Sequence, residues 1–231
     1  MASIEYRSLK QSVSELEGDL LNFEVKVVEP YSNEELLKCQ AYVVFSHAEI
    51  QVYWETVARR ILREAEGRWR SDNSIDRVIG SLLAFRRTDK VAIPGDPSKP
   101  TPISDIAEMI DYAISKQKKA IDANNGIKSA NLANLLCPLG MMKEDFSSTF
   151  LVQSDQTGKK RGDLVHKSSS VSMRTIRDPF TDEKGDIDKL LAEIEIVDES
   201  LEQMGLLSVP AAASAGIPAP APAMPVGGEQ L

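Results

Sequence analysis

From Ser32 to about Arg63 the chain carries two apolar stripes on one helical repeat, and few folds can use such a segment. Val43, His47, Ile50, Trp54, Val57 and Ile61 recur at helical spacing, and Leu37, Ala41, Val44, Ala48 and Val52 form a second row beside them. A helix that is apolar on two flanks needs neighbours on more than one side, so this one belongs at the centre of a bundle. Ser32-Asn33-Glu34-Glu35 marks its start as a capping box, in which the Ser32 hydroxyl and the Glu35 carboxylate satisfy free N–H groups reciprocally.

The rest of the chain reads as helices around that one. Leu9, Val13, Leu16, Leu20, Phe23 and Val27 lie on one stripe that Pro30 ends. Ile75 to Phe85 fits a short helix. Thr88 to Pro102, with Pro94-Gly95-Asp96-Pro97, is a loop. Thr101 with Pro102 fits the cap and first turn of a helix that carries Ile103, Ile106, Ile110 and Ile114 to Asn124-Asn125-Gly126. A short helix from about Ile127 is cut by Pro138 and Gly140. From Lys143 to about Ser168 the pattern is helical, with a break expected near Gly158. Ile187, Leu190, Leu191, Ile194, Val197, Leu201 and Met204 make a last helix closed by Gly205. No segment sustains a period of two, so the expected class is all-α: an antiparallel helical bundle over residues 1–207. Residues 208–231 turn to alternating Ala and Pro, a composition that buries little and is expected to form a disordered tail.

Of the 231 residues, 42% are apolar and 27% charged, the balance of an ordinary globular protein. No secretory signal is visible and no apolar run reaches membrane-spanning length, so a cytoplasmic protein with no membrane partner is expected. Cys39 and Cys137 read as reduced core thiols. Two Cys and two His without ligand spacing give no zinc site, and neither a metal nor another cofactor is expected.

The net charge of −8 weakens non-specific phosphate binding, but the charge is unevenly spread. Between Gln156 and Arg177 lie Lys159, Lys160, Arg161, Lys167, Arg174 and Arg177, with Asp163 as the only acid. Inside this strip, Arg161 and His166 are separated by four residues. Histidine can exchange a proton near neutral pH, and arginine stays charged while offering a fork to phosphate oxygens. On a regular helix five positions turn about 140°, so the two side chains do not lie on one line. By spacing alone they also fit a surface arginine and a partly exposed helix histidine. His47 fits a core-facing imidazole with one hydrogen-bond partner. Glu49, flanked at four residues by Phe45 and Tyr53, fits either a solvated acid or a carboxylate that pairs with Arg161 and orients it. Asp163 and Lys167 fit a helix-stabilising pair.

The stretch Lys160-Arg161-Gly162-Asp163-Leu164-Val165-His166-Lys167-Ser168, the upstream Asn134-Leu135-Leu136-Cys137-Pro138-Leu139-Gly140 and the segment Ala41 to Glu49 resemble the HEPN superfamily, within it the RiboL-PSP-HEPN group. The resemblance covers roughly residues 5 to 205. It implies a metal-independent RNA endonuclease that dimerises so that two Arg/His motifs share a composite cleft, in a toxin–antitoxin or antiviral setting with an antitoxin or defence partner. Arg161 and His166 match the two catalytic positions. His47 and Glu49 are then candidates to position them, and Lys159, Lys160, Lys167 and Arg174 to contact the RNA backbone; DNA is not expected as a substrate. Gly162 stands where other HEPN groups often carry a polar residue. Ser168 stands where one toxin group has a modified Tyr, so that regulation is not supported. A non-catalytic helical dimer that binds a protein or a nucleotide is the other reading the acidic body allows.

Overall fold

Residues 2–86, 105–166 and 176–207 are described in a computed structural model. The loop from Thr88, the Thr101–Pro102 cap, Lys167, Arg174 and the Ala/Pro tail lie outside them. Seven α-helices and no strand are found among the described residues, so the chain is all-α. They are α1 (Ile4–Leu20), α2 (Asn33–Asp72), α3 (Arg77–Phe85), α4 (Ile106–Asp122), α5 (Ser129–Leu136), α6 (Ser148–His166) and α7 (Gly185–Gln203).

Helix α2 is the axle. Its capping box forms as expected, with Glu35 N–H donating to Ser32 Oγ and Ser32 N–H to Glu35. Its first stripe, Val43 to Ile61, is buried throughout. The other helices pack along it in a direction fixed by specific pairs. Arg60–Glu5 and Tyr53–Tyr6 set α1 antiparallel to α2. Arg70–Asp111 and Arg59–Asp122 do the same for α4. For α6, Trp54 against Phe150 and Gln40 donating to the Leu164 carbonyl set the antiparallel course. The buried Asp198 of α7 ties three elements together by accepting from Ser3 N (2.7 Å), Ser3 Oγ (2.6 Å) and Tyr53 Oη (2.7 Å). No described helix is long and apolar enough to cross a membrane.

Four expectations need correction. The second stripe of α2 is only partly covered: Ala41 and Val44 are half-buried, Val44 against the core, while Leu37, Ala48 and Val52 are exposed. Helix α1 stops at Leu20 instead of running to Pro30. Val27, 94% exposed, buries nothing, and Phe23 leaves the helical path to pack edge-on against Tyr31 and Phe180. The cap of α4 is Asp105, which accepts from Glu108 N, in place of the expected Thr101; Ile103 lies outside the described residues. Helix α6 runs unbroken through Gly158 and Gly162.

The chain between α5 and α6 turns as the sequence suggests. A 3₁₀ turn over Cys137–Leu139 ends at Gly140, whose φ of 102° suits glycine. Before α7 comes a feature that periodicity does not reveal: Pro179–Lys184 forms a π turn, capped by Asp178 accepting from Phe180 N and Thr181 N.

Candidate functional site

Helix α6 carries the Arg161/His166 pair, and its course decides where each side chain points. It is anchored at its start by Ser147, whose hydroxyl accepts from Phe150 N and donates to Glu193. Phe150, Ser154, Thr157, Arg161 and Leu164 follow one another at helical steps and form its inward stripe. Gly158 is no break: a Cβ there would meet Lys128 Cγ at 2.8 Å, so the glycine lets α6 approach the start of α5. Gly162 has open space around it.

Arg161 is therefore half-buried, turned toward α2, while His166 is exposed at the end of α6, about 140° around the helix. The arginine's neighbour is the other histidine. His47 is 2% exposed, and its pKa falls from the ordinary 6.5 to about 4 through burial first and the Arg161 charge second. At neutral pH the imidazole is thus uncharged. Within one chain the Arg161 charge bears on His47, while His166 lies on another side of the helix.

Glu49 does not reach Arg161. Two residues on from His47, it is turned some 200° around α2 and lies in the groove against α1 with Ile4, Ser8 and Ser12. It makes no ion pair among the described residues.

The basic strip is smaller in space than in sequence. Lys160 pairs with Glu183, a carboxylate only 1% exposed that also accepts from Arg177 N at 2.9 Å. Arg177 is ringed by Asp182, Glu183 and Asp186. Lys160 is thus a locking residue of the fold and not an open phosphate contact. Lys159 stays exposed, and neither it nor Arg161 is ion-paired among the described residues. Lys167 and Arg174, with the Asp163–Lys167 pair, lie outside those residues. The acids that neutralise the strip are the residues sequence reasoning missed. Their signal was the Asp182-Glu183 pair just past it, and the π turn is what swings Glu183 inward.

With this geometry in hand, comparison with known protein families, with curated proteins and with solved structures gives no match.

Proposed function

We propose that this chain is a HEPN-type RNA endonuclease, acting by attack of the RNA 2′-hydroxyl at a composite site formed by two copies. The observation that carries this reading is Arg161: a half-buried guanidinium without a carboxylate among the described residues, on a helix whose neighbouring cation Lys160 is neutralised. Such a group has lost part of its water and gained no counter-charge, so it favours an anion that arrives with the substrate. The neutral His47 beside it adds apolar surroundings and no competing charge.

In the proposed step Arg161 holds the scissile phosphate and bears the negative charge that grows on its oxygens. The 2′-oxygen bonds to phosphorus and gives up its proton to the imidazole of His166. The bond to the 5′-oxygen breaks, and the leaving oxygen takes a proton from the histidine of the other copy. The products are a 2′,3′-cyclic phosphate and a 5′-hydroxyl. Because Arg161 and His166 diverge by about 140° on one helix, a second copy supplies the complementary half. The outward row of α2, with Leu37, Phe45 and Val52 exposed along about 22 Å of helix, is the surface we assign to that contact.

The test is cleavage of RNA in EDTA by the wild type, Arg161→Ala, His166→Ala and Phe45→Glu, with sedimentation of each. Cleavage should vanish in all three variants, and Phe45→Glu should also sediment as a monomer. Cleavage that survives loss of both Arg161 and His166 would overturn the assignment.

A further inference from the structure

Between α2, α6, the π turn and α7 lies a cavity of about 430 Å³. Its α6 wall is Gln153, Gln156, Thr157 and Lys160, one face of the helix; Val43 and Ile187 give it apolar surface. Of the charged groups at its rim, Lys160 is committed to Glu183 and Arg177 to Asp186, while Lys189 is an exposed ammonium 3.9 Å from Asp186. The uncommitted groups deeper in the cavity are uncharged. Thr157 is 7% exposed and makes no hydrogen bond among the described residues. Gln153 is only half-buried; its Oε1 is shut off from water and without a partner, so what it can offer the cavity is its Nε2 amide. Sheltered amide and hydroxyl groups without partners cost stability, and natural proteins keep few of them unless a ligand meets them. The π turn that builds one side is itself a distortion frequently found at functional sites.

A nucleobase fits this chemistry: flat apolar faces for Val43 and Ile187, and a polar edge for an amide. The Gln153 amide can donate to a ring nitrogen and the Thr157 hydroxyl can accept from a neighbouring exocyclic amino group, and unpaired RNA bases are read on such edges. Thr157 precedes Arg161 by one turn, about 6 Å along the axis, so a base in the cavity leaves its phosphate on the Arg161 side. We infer that this cavity takes one unpaired nucleobase bearing an exocyclic amino group, read by Gln153 and Thr157, next to a backbone phosphate on Arg161. The inference rests on the ribonuclease reading, which supplies the strand.

Binding of AMP, CMP, UMP and ribose 5-phosphate to the full chain is measured by calorimetry, with no cleavage involved. AMP and CMP should bind saturably and at least about tenfold more tightly than UMP, with ribose 5-phosphate weaker than all three. Gln153→Leu and Thr157→Val should each cost about tenfold in AMP affinity. Gln153→Leu should not lower Tm, since it removes a sheltered acceptor that bonds to nothing; Thr157→Val keeps the shape should Gln153→Leu fold poorly. No saturable AMP binding, equal binding of AMP and UMP, or affinity indifferent to both variants would each overturn the inference. AMP binding without RNA cleavage would remove the ribonuclease reading and leave the base site standing as that of a nucleotide-binding module. Cleavage without AMP binding would do the reverse.

Discussion

His47 should make the fold sensitive to mild acid. In the unfolded chain its imidazole takes a proton near 6.5, whereas in the fold burial and the Arg161 guanidinium hold it back to about 4. Its contribution to stability is therefore complete above pH 6.5 and is lost as the pH falls from there to about 4, because only the unfolded state gains the proton. At pH 5 the loss reaches about 2 kcal/mol relative to pH 7. Glu35 titrates in a different window: Lys26 and the Ser32 N–H hold its carboxylate down at about 2, so what it contributes is lost only as the pH drops from about 4.5 toward 2. Urea denaturation at pH 7 and pH 5 should therefore show the 2 kcal/mol difference in the wild type and little of it in His47→Gln. The imidazole signal of His47 in NMR should titrate near 4, and Arg161→Gln should raise that midpoint part of the way, since burial remains. A wild type equally stable at both pH values, or a midpoint unmoved by Arg161→Gln, would refute the reasoning.

Lys160→Ala should destabilise the fold by about 2–3 kcal/mol by urea denaturation, less than the roughly 3–5 kcal/mol of a fully broken buried pair because Arg177 still faces Glu183; a change under about 0.5 kcal/mol would return Lys160 to the open strip. Lys159→Ala should leave stability intact and lower the salt slope of RNA binding by about 0.7, one phosphate contact on a single strand, as read from binding between 50 and 200 mM salt. Asp198→Ala strands three donors in the core and should cost about 3–5 kcal/mol, with amide exchange accelerated first around Ser3 and Tyr6; a loss under 1 kcal/mol would show that water replaces the carboxylate.

The fold was legible where burial and capping act on neighbouring residues. The inward stripe of α2, its Ser32/Glu35 box and the Gly205 stop of α7, at φ 68°, all follow from local spacing and chemistry. What escaped was tertiary. Periodicity continues through Phe23 and Val27, yet the helix ends at Leu20 and Phe23 packs edge-on against Phe180 instead. Gly158 looks like a breaker in a polar stretch, but the nearness of Lys128, invisible along the chain, makes it a contact residue. The second row of α2 gave the right periodicity and, at Leu37, Ala48 and Val52, the wrong environment, since hydropathy does not distinguish a helix wrapped by its own chain from one that offers a face outward.

The candidate site shows the same division. That Arg161 and His166 diverge follows from helix geometry, and α6 obeys it. Which partner Arg161 finds instead does not follow, because His47 lies on another helix and meets it only when α2 and α6 run antiparallel. Charge is harder still to project. A run of cations suggests an open binding strip only if no acids fold back upon it. Here the π turn returns Glu183 and Asp186 to Lys160 and Arg177, and the strip's field is largely cancelled at one end. Cancellation has a consequence for function. It concentrates positive charge around Lys159 and Arg161, so that an anion reaching α6 is drawn to the cation of that helix that, among the described residues, is both partly desolvated and free of a carboxylate.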